Sequence, residues 1–484
     1  MRPLLLPLLL LASACCLASS AAGGSGQLPL TTRSAQARKL FERGMNNLEN
    51  LRIGPAVNDW RSAAKADPQC ALAHLFVAYG TKDPAEERNE LGRALKLAAS
   101  SSEGEKLLVK WFAGTREGNY VQAIAAMNDL LAMFPQDSRL AFLAGRWFIL
   151  AEEFEPGVKL LERALAGNAE YPAALNELGY GYAELGHFEK AFTTMERYAA
   201  AAPTEPNPHD SYGEVLRMAG EFDRALLQYR AALKVDPKFY ASQFGIAETY
   251  ALRGDEERAR AEYEKAIAAS PSAAEKLEYA RQSALTYVRE GKNSEADAAL
   301  QQLVSNAKNA GIERLEAELH RLMAIYATDY AEATRHLDSA EAVLARSQTI
   351  AKADWDDERA SILRVRAERA ASAAELNVAR NTVDQLQAMA AGSRSQMVQR
   401  SFHAGAGALL VAQGHFAESI AHLEEDQKNC MTARLLLSAY QKTGAGNDAE
   451  SLRHRLAMTN ETSAEQALVV PRLRRQLAEL ASAH

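Results

Sequence analysis

This chain of 484 residues contains few cysteines, no surplus of positive charge and, after its N-terminal segment, no long apolar run. Two of its four cysteines, Cys15 and Cys16, belong to the N-terminal segment. Cys70 and Cys430 lie 430 − 70 = 360 residues apart, which predicts two isolated core thiols and argues against a disulfide scaffold. The net charge of −7 argues against a general nucleic-acid binder, which usually presents a basic face. Beyond the N-terminus, no stretch approaches the roughly 20 apolar residues that a membrane-spanning helix needs.

Motifs of catalysis and metal binding are also missing. The chain has no nucleophile elbow, no phosphate-binding lysine loop and no zinc-protease helix. His415 and His422 are seven residues apart, but no third or fourth ligand accompanies them to complete a tetrahedral site. We therefore predict no catalytic residues, no metal site and no cofactor.

The first 22 residues have the features of an export signal. Met1-Arg2 supplies positive charge, Leu4 to Ala14 is an apolar run, and Ser20-Ala21-Ala22 offers a small-residue cleavage site. We predict a signal peptide over residues 1–22 and a flexible linker over residues 23–36. The mature protein would then lie in the periplasm or outside the cell.

An alternative signal ends before Cys15. The sequence Leu11-Ala12-Ser13-Ala14-Cys15 loosely resembles a bacterial lipoprotein signal, in which the cysteine is acylated and becomes the first mature residue. Leu11 stands one place earlier than the leucine of that signal. Ordinary secretion and lipid anchoring through Cys15 both remain open. One acyl chain alone binds membranes only marginally, so stable anchoring would need a second signal.

One pattern recurs every 34 residues between about Ser138 and Ser272. Small residues occupy two phases of the pattern, phenylalanine a third and proline a fourth, and successive members differ by 34 (179 − 145, 213 − 179). The members are Gly145, Gly179, Gly213 and Ala247; Gly157, Ala191, Ala225 and Ala259; Phe154, Phe188 and Phe222; and Pro203, Pro237 and Pro271. A fixed period of this length predicts a stack of helical hairpins, in which each pair needs its neighbours to bury its apolar face.

The unit from Pro172 to Glu205 illustrates one hairpin. Gly186 ends the first helix because glycine tolerates left-handed dihedral angles, and Pro203 stops the second because proline lacks the next N–H donor. Gly179 lies in the middle of the first helix, where glycine costs about 1 kcal/mol relative to alanine. We therefore expect Gly179 to serve a close approach of the two helices.

These residues resemble the tetratricopeptide repeat family closely. The family places a small residue, a tyrosine, a turn glycine, an aromatic, an alanine, a second aromatic, an alanine and a proline at these phases. The unit that follows Pro206 shows the pattern with Gly213, Gly220, Phe222, Ala225, Tyr229, Ala232 and Pro237. The resemblance implies an all-α fold, a right-handed α-solenoid of about nine to eleven stacked antiparallel helix pairs.

The regularity of the pattern divides the chain. We predict divergent N-terminal repeat units over residues 37–103, a regular array over residues 104–272, divergent helical repeats over residues 273–399, and C-terminal units with a capping helix over residues 400–484. Thr462 and Glu465 predict a capping box at the start of this last helix, and Pro471 is expected to kink or restart it.

The resemblance also implies where a partner binds, because the first helix of each pair lines the concave face in this family. The inward positions give Phe112, Phe142, Arg146, Asn176, Tyr180, Asp210, Glu214, Arg217, Phe244 and Glu248. The groove would lead from an aromatic and arginine sector into an acidic sector, which suits a peptide or protein segment with an acidic or apolar start and a basic end. These residues could instead coat a solvated groove or pack against a neighbouring turn of the superhelix.

A scaffold or adaptor of the cell envelope or secretory compartment is the function we expect, with no nucleic acid among its partners. The alternative is an enzyme, or an accessory subunit of a complex that processes envelope polysaccharide or peptide. Its only candidate groups are Asp210 and Glu214, one helical turn apart. Arg217 follows Glu214 by three residues, which favours an ion-pair network over an acid–base pair.

Overall fold

The computed structural model describes residues 26–482, so the predicted signal peptide and Cys15 lie outside the described residues. Within this range the fold is all-α, with 25 α-helices, one short 3-10 turn (Glu424–Asp426) and no strand. The helices are α1 (Ala35–Glu49), α2 (Ile53–Ala66), α3 (Ala71–Gly80), α4 (Pro84–Ala98), α5 (Glu103–Arg116), α6 (Tyr120–Met133), α7 (Ser138–Leu150), α8 (Phe154–Gly167), α9 (Pro172–Glu184), α10 (Phe188–Ala201), α11 (Asn207–Met218), α12 (Phe222–Val235), α13 (Tyr240–Arg253), α14 (Glu256–Ala269), α15 (Ala273–Glu290), α16 (Asn293–Asn309), α17 (Glu313–Tyr326), α18 (Tyr330–Arg346), α19 (Lys352–Ser372), α20 (Leu376–Gly392), α21 (Gln396–Ala412), α22 (Phe416–Leu423), α23 (Cys430–Thr443), α24 (Gly446–Ala457) and α25 (Ala464–Ser482).

The first 24 helices form consecutive pairs, each packed on the next, as the repeat pattern predicts. Twelve pairs are present over the described residues, so the prediction of nine to eleven was too low. The charged stretch from α19 to α20 forms two helices of one pair, because Ala374 turns the chain with a φ of 60°. The helix-favouring sequence there contains no Gly or Pro that would have marked this turn.

The unit around α9 and α10 confirms the local reasoning. Gly186 adopts a φ of +73° after α9, the left-handed conformation that favours glycine. A Cβ added at Gly179 would lie 2.5 Å from the Cε of Met195, so the close approach of the two helices requires glycine there. Ala191 is fully buried at the same interface.

The stack coils far enough for its second half to lie beside its first. Arg116 on α5 forms an ion pair of 2.8 Å (Nη2 to Oδ2) with Asp354 on α19. Gln396 on α21 donates from Nε2 to Oε1 of Glu153 at 2.6 Å, and Lys428 Nζ lies 3.2 Å from Glu184 Oε2. These contacts join residues more than 230 positions apart, which a straight stack could not do.

The segment after the predicted cleavage site differs from the flexible linker expected over residues 23–36. The Leu28 N–H donates to Asp137 Oδ2 at 2.7 Å, and the Thr31 N–H donates to Glu105 Oε1 at 2.8 Å. Leu30 is buried in the core. Residues 28–31 are therefore fixed to the first helix pairs, because their backbone donors find buried carboxylates as acceptors.

The C-terminal helix differs from the prediction in two details. Ser463, and not Thr462, caps α25, since its Oγ accepts from the Gln466 N–H at 3.1 Å. Pro471 lies inside α25, which continues to Ser482 without a restart. Thr462 is used elsewhere, as described below.

The two cysteines beyond the N-terminal segment are isolated core thiols, as predicted. Both are buried and neither forms a disulfide. Burial raises the pKa of Cys70 to about 11 and that of Cys430 to about 12. In the described part of the chain, no helix is long and apolar enough to cross a membrane.

Candidate functional site

The first helices of the N-terminal pairs form a concave face, because their side chains meet across intervening pairs. Arg139 on α7 forms ion pairs with Glu42 and Glu49 on α1. Tyr79 on α3 accepts from Arg146 Nη1 on α7 at 2.9 Å, across α5. Contacts over such separations require that this side of the stack curves inward.

A continuous set of polar side chains follows this face from α3 to α13, and we call it the polar ladder. Its members are Tyr79, Arg146, Glu177, Tyr180, Asp210, Glu214, Arg217, Ser242 and Glu248.

The first step of the polar ladder centres on Arg146. Its Nε lies 3.1 Å from Glu177 Oε1, and its guanidinium carbon lies 5.8 Å from the ring centroid of Tyr79. Burial raises the pKa of Glu177, although the neighbouring Arg146 opposes this shift. Arg146 is thus already paired within the chain, and only about a third of its side chain is exposed.

The middle of the polar ladder lies between α9 and α11. Tyr180 donates from its hydroxyl to Glu214 Oε2 at 2.7 Å, and Ser242 donates to Asp210 Oδ1 at 2.6 Å. Desolvation, reinforced by the charge of Glu214, raises the pKa of Asp210 to about 7. Side-chain surface remains open here, since Glu214 is 41% exposed.

The last step of the polar ladder is closed by the chain itself. Arg217 is buried and its Nη2 lies 3.2 Å from Glu214 Oε1 and 3.1 Å from Glu248 Oε2. Thr462, in the connection between α24 and α25, donates its hydroxyl proton to Glu248 Oε1. Asn460 in the same connection donates from Nδ2 to the Met218 carbonyl at 3.3 Å. The connection therefore covers the end of the concave face that the sequence assigned to a partner.

Several predicted groove residues are part of the core instead. Phe142 is 1% exposed and packs against Tyr171 with ring centroids 5.1 Å apart, and Phe112 is buried against Tyr79. Arg217 and Glu248 are also buried, in the ion pair just described. The fixed inward positions of the repeat do not distinguish a lining residue from one that the tight superhelix covers.

The other predicted residues share the open part of the face. Tyr180, Asp210, Glu214 and Arg146 are partly exposed. Phe244 is partly buried and stacks on Tyr279 with centroids 4.2 Å apart. Asn176 is 7% exposed, and its Oδ1 accepts no hydrogen bond.

Removing part of the Phe142 ring tests this core assignment. Phe142→Leu is expected to lower the free energy of unfolding by about 1 kcal/mol, because it shrinks a fully buried side chain. Partner capture by the folded variant should be unchanged, since the ring offers no surface. A variant with native stability and weaker capture would contradict the core position.

Four residues of the site were missed by sequence reasoning: Tyr79, Glu177, Ser242 and Thr462. Glu177 and Ser242 lie beside the assumed inward positions, and Tyr79 belongs to a degenerate pair outside the regular register. Thr462 was interpreted as a helix cap. The 34-residue spacing of Tyr180 and Glu214 did carry a usable signal, because equivalent positions of adjacent pairs are neighbours.

Groups of three or more His, Cys, Asp or Glu side chains that could hold a metal ion do not occur among the described residues. The polar ladder has no arrangement of nucleophile and base either: Glu214 accepts from Tyr180 and pairs with Arg217, and Asp210 accepts from Ser242. Its geometry suits hydrogen bonding and charge pairing along an extended surface.

Paired helices of one repeated length, coiled around a polar inner surface, define an α-solenoid whose concave side is a binding surface of the repeat type. Residues 213–274 match the family model described as tetratricopeptide repeat. The chain is a tetratricopeptide repeat protein, and the matched stretch spans α11 to α14.

Solved structures similar to this chain include several repeat proteins. TTC0263, a thermophilic TPR protein in Thermus thermophilus, is 20% identical, with 42% of this chain and 98% of that chain covered and a TM-score of 0.32. A tetratricopeptide repeat protein from Parabacteroides merdae is 14% identical, with coverages of 59% and 97% and a TM-score of 0.37. The APC/C hetero-tetramer Cut9–Hcn1 is 15% identical, with coverages of 83% and 76% and a TM-score of 0.42. No curated protein matches the chain.

Proposed function

We propose that this protein is an exported scaffold or adaptor of the cell envelope that binds a segment of a protein partner along its concave face. Proteins built from such repeats generally act through protein–protein contacts, because a stack of hairpins offers an extended surface. The observation that carries the proposal is the open middle of the polar ladder, where Tyr180, Asp210 and Glu214 remain partly exposed. Polar groups held in place and still accessible are suited to fixing a partner in register.

The covered end of the face limits where the partner lies. Thr462 and Asn460 occupy the neighbourhood of Glu248 and Met218, so the partner segment would approach from α7 and α9 and end near α11. Arg146 is already paired with Glu177. The acidic middle of the face then dominates recognition.

Site-specific photo-crosslinking tests this proposal. Replacing Tyr180 with p-benzoylphenylalanine should yield a covalent adduct with one partner in envelope extracts of the source organism, identified by mass spectrometry. The control carries the same group at Leu227, which lies on α12 and is 64% exposed. Adducts that form at Leu227 and not at Tyr180 would place the partner on the outer surface and overturn the proposal.

The exported location is tested separately by the intact mass of the protein recovered from its source. Cleavage after residue 22 gives an unmodified N-terminus at Gly23, whereas acylation adds the mass of fatty acyl groups at Cys15. A protein that keeps Met1 and the first 22 residues would contradict export by either route.

A further inference from the structure

The polar ladder has more negative than positive charge. Its carboxylates are Glu177, Asp210, Glu214 and Glu248, and its only guanidinium groups are Arg146 and Arg217. Arg146 is used by Glu177, and Arg217 is used by Glu214 and Glu248. Asp210 receives one hydrogen bond, from Ser242 to Oδ1, and no described residue donates to its Oδ2.

A second and independent feature lies on α9. The Asn176 side chain is 93% buried (7% exposed), and its Oδ1 has no hydrogen-bond partner. A buried acceptor left without a donor costs about 1–3 kcal/mol. The folded chain keeps such an acceptor on the helix that contributes Tyr180 to the concave face.

The repeat register brings these groups together. Asn176 and Tyr180 lie one helical turn apart on α9, and Asp210 and Glu214 lie one turn apart on α11. Each α11 residue is 34 positions after its α9 counterpart, and the Tyr180–Glu214 hydrogen bond of 2.7 Å shows that such counterparts touch. The same register places the Asn176 amide beside Asp210.

We propose that this pocket, formed by Asn176, Tyr180, Asp210 and Glu214, binds an arginine side chain of the protein partner. This inference rests on the proposed function and specifies the chemistry of the partner. A guanidinium group has five N–H donors in a planar fork and no acceptor. It can donate to Asp210 Oδ2, to Asn176 Oδ1 and to Glu214 at once, whereas the more compact ammonium of lysine has three donors.

Binding of arginine in this pocket should depend on pH. The groups that face Asp210 are Tyr180 from α9, Glu214 and Arg217 from α11, and Ser242 and Glu248 from α13. Because the pKa of Asp210 in the free protein is raised to about 7, about a tenth of this carboxyl is ionised at pH 6 and most of it at pH 8. The ionised form is the one that attracts a cation, so affinity should rise about tenfold between pH 6 and pH 8.

The test uses the full mature chain and a fluorescein-labelled peptide with four arginines separated by glycines, measured by fluorescence anisotropy. The same peptide with citrulline, which is neutral and nearly isosteric, and with lysine serve as reference probes. We expect the citrulline and lysine peptides to bind at least about tenfold and threefold more weakly than the arginine peptide.

Variants separate this pocket from general attraction to an acidic protein. Asp210→Asn should weaken arginine-peptide binding about tenfold and abolish its pH dependence, because the charge that titrates near pH 7 is gone. The matched control is Asp223→Asn on α12, whose side chain is 86% exposed, and it should change affinity less than twofold. Asn176→Leu should also weaken binding while leaving the fold intact, because it removes the unpaired acceptor at similar volume.

Stability measurements keep a binding loss from being mistaken for unfolding. The pKa of Asp210 is higher in the folded chain than in the unfolded one, so this group lowers stability as pH rises from about 4 to about 7. Asp210→Asn should therefore be at least as stable as the wild type at pH 8, with an advantage that disappears near pH 4.

Three results would overturn the inference: equal losses in Asp210→Asn and Asp223→Asn, equal affinity for the lysine or citrulline peptide, or no binding of the arginine peptide. A Tyr180 crosslink to the natural partner together with any of these would leave the proposed scaffold function standing and reject only the arginine pocket.

Discussion

Replacing Arg364 with alanine is expected to lower the free energy of unfolding by about 3–5 kcal/mol, because it removes the cation from a buried group of carboxylates. Arg364 on α19 is 7% exposed. Its Nη2 lies 2.7 Å from Glu465 Oε1 at the start of α25, and its other nitrogens lie 3.7 Å from Glu368 and from Asp426. Three carboxylates would then remain in the interior without their shared partner.

The loss should also depend on pH in a definite direction. Desolvation already raises the pKa of Glu368 to about 7. Without Arg364, which lowers the pKa values of its three neighbours, the folded-state pKa values rise further. A raised folded-state pKa of a carboxyl costs stability as pH increases through that range, so the variant should be weakest at pH 8 and recover part of the loss at pH 5.

Urea unfolding followed by circular dichroism measures this effect, and hydrogen exchange in α19 and α25 locates it. The matched control is Arg253→Ala, which breaks an exposed ion pair of 2.7 Å with Asp223 and should cost less than about 1 kcal/mol. Equal losses for the two variants would show that the buried carboxylates do not need Arg364. Arg364→Lys, which keeps the charge, should fall between the wild type and the alanine variant.

A second large effect is expected at Gly245, where valine should cost about 3 kcal/mol. A Cβ at Gly245 would overlap Cε1 and Cζ of Tyr229, whose side chain is 2% exposed. The ring cannot move aside, because a Cβ at Gly213 would already lie 2.9 Å from the same ring. Tyr229 on α12 is therefore held between the glycines of α11 and α13.

The same substitution at Gly92 provides the control. Gly92 lies inside α4, and a Cβ there would meet no atom within 4 Å. Gly92→Val should change stability by less than about 0.5 kcal/mol, because valine has a slightly better helix propensity than glycine and meets no obstacle. Thermal and urea unfolding of the two variants give the comparison. If Gly245→Val were as stable as Gly92→Val, the tight contact around Tyr229 would be refuted.

These predictions depend on features that sequence and structure supplied in different measure. The 34-residue period located Gly213, Tyr229 and the helix pairs around them, because each hairpin repeats the same local packing. The period did not reveal that Gly245 also touches Tyr229, since this glycine occurs at that phase in one unit only. The count of twelve pairs likewise needed the structure, because the divergent pairs keep helical propensity but lose the small residues that mark the register.

The candidate site was predictable to a similar degree. The inward positions correctly brought Tyr180, Asp210 and Glu214 to one face, because adjacent hairpins are related by a constant step. They could not show that Phe142 is buried or that Thr462 bonds to Glu248. Those facts depend on how tightly the superhelix coils and on where a segment more than 200 residues further along the chain returns.

The sequence by itself determined the class of fold, because small residues, turn glycines and prolines at a fixed spacing permit one kind of hairpin, and a hairpin with an exposed apolar face must stack. Only the tertiary structure decided which part of the inner surface is open. Small rotations between successive pairs add up over twelve pairs, and their sum brings Asn460 and Thr462 against α11 and α13 while leaving Asp210 and Glu214 within reach of a partner.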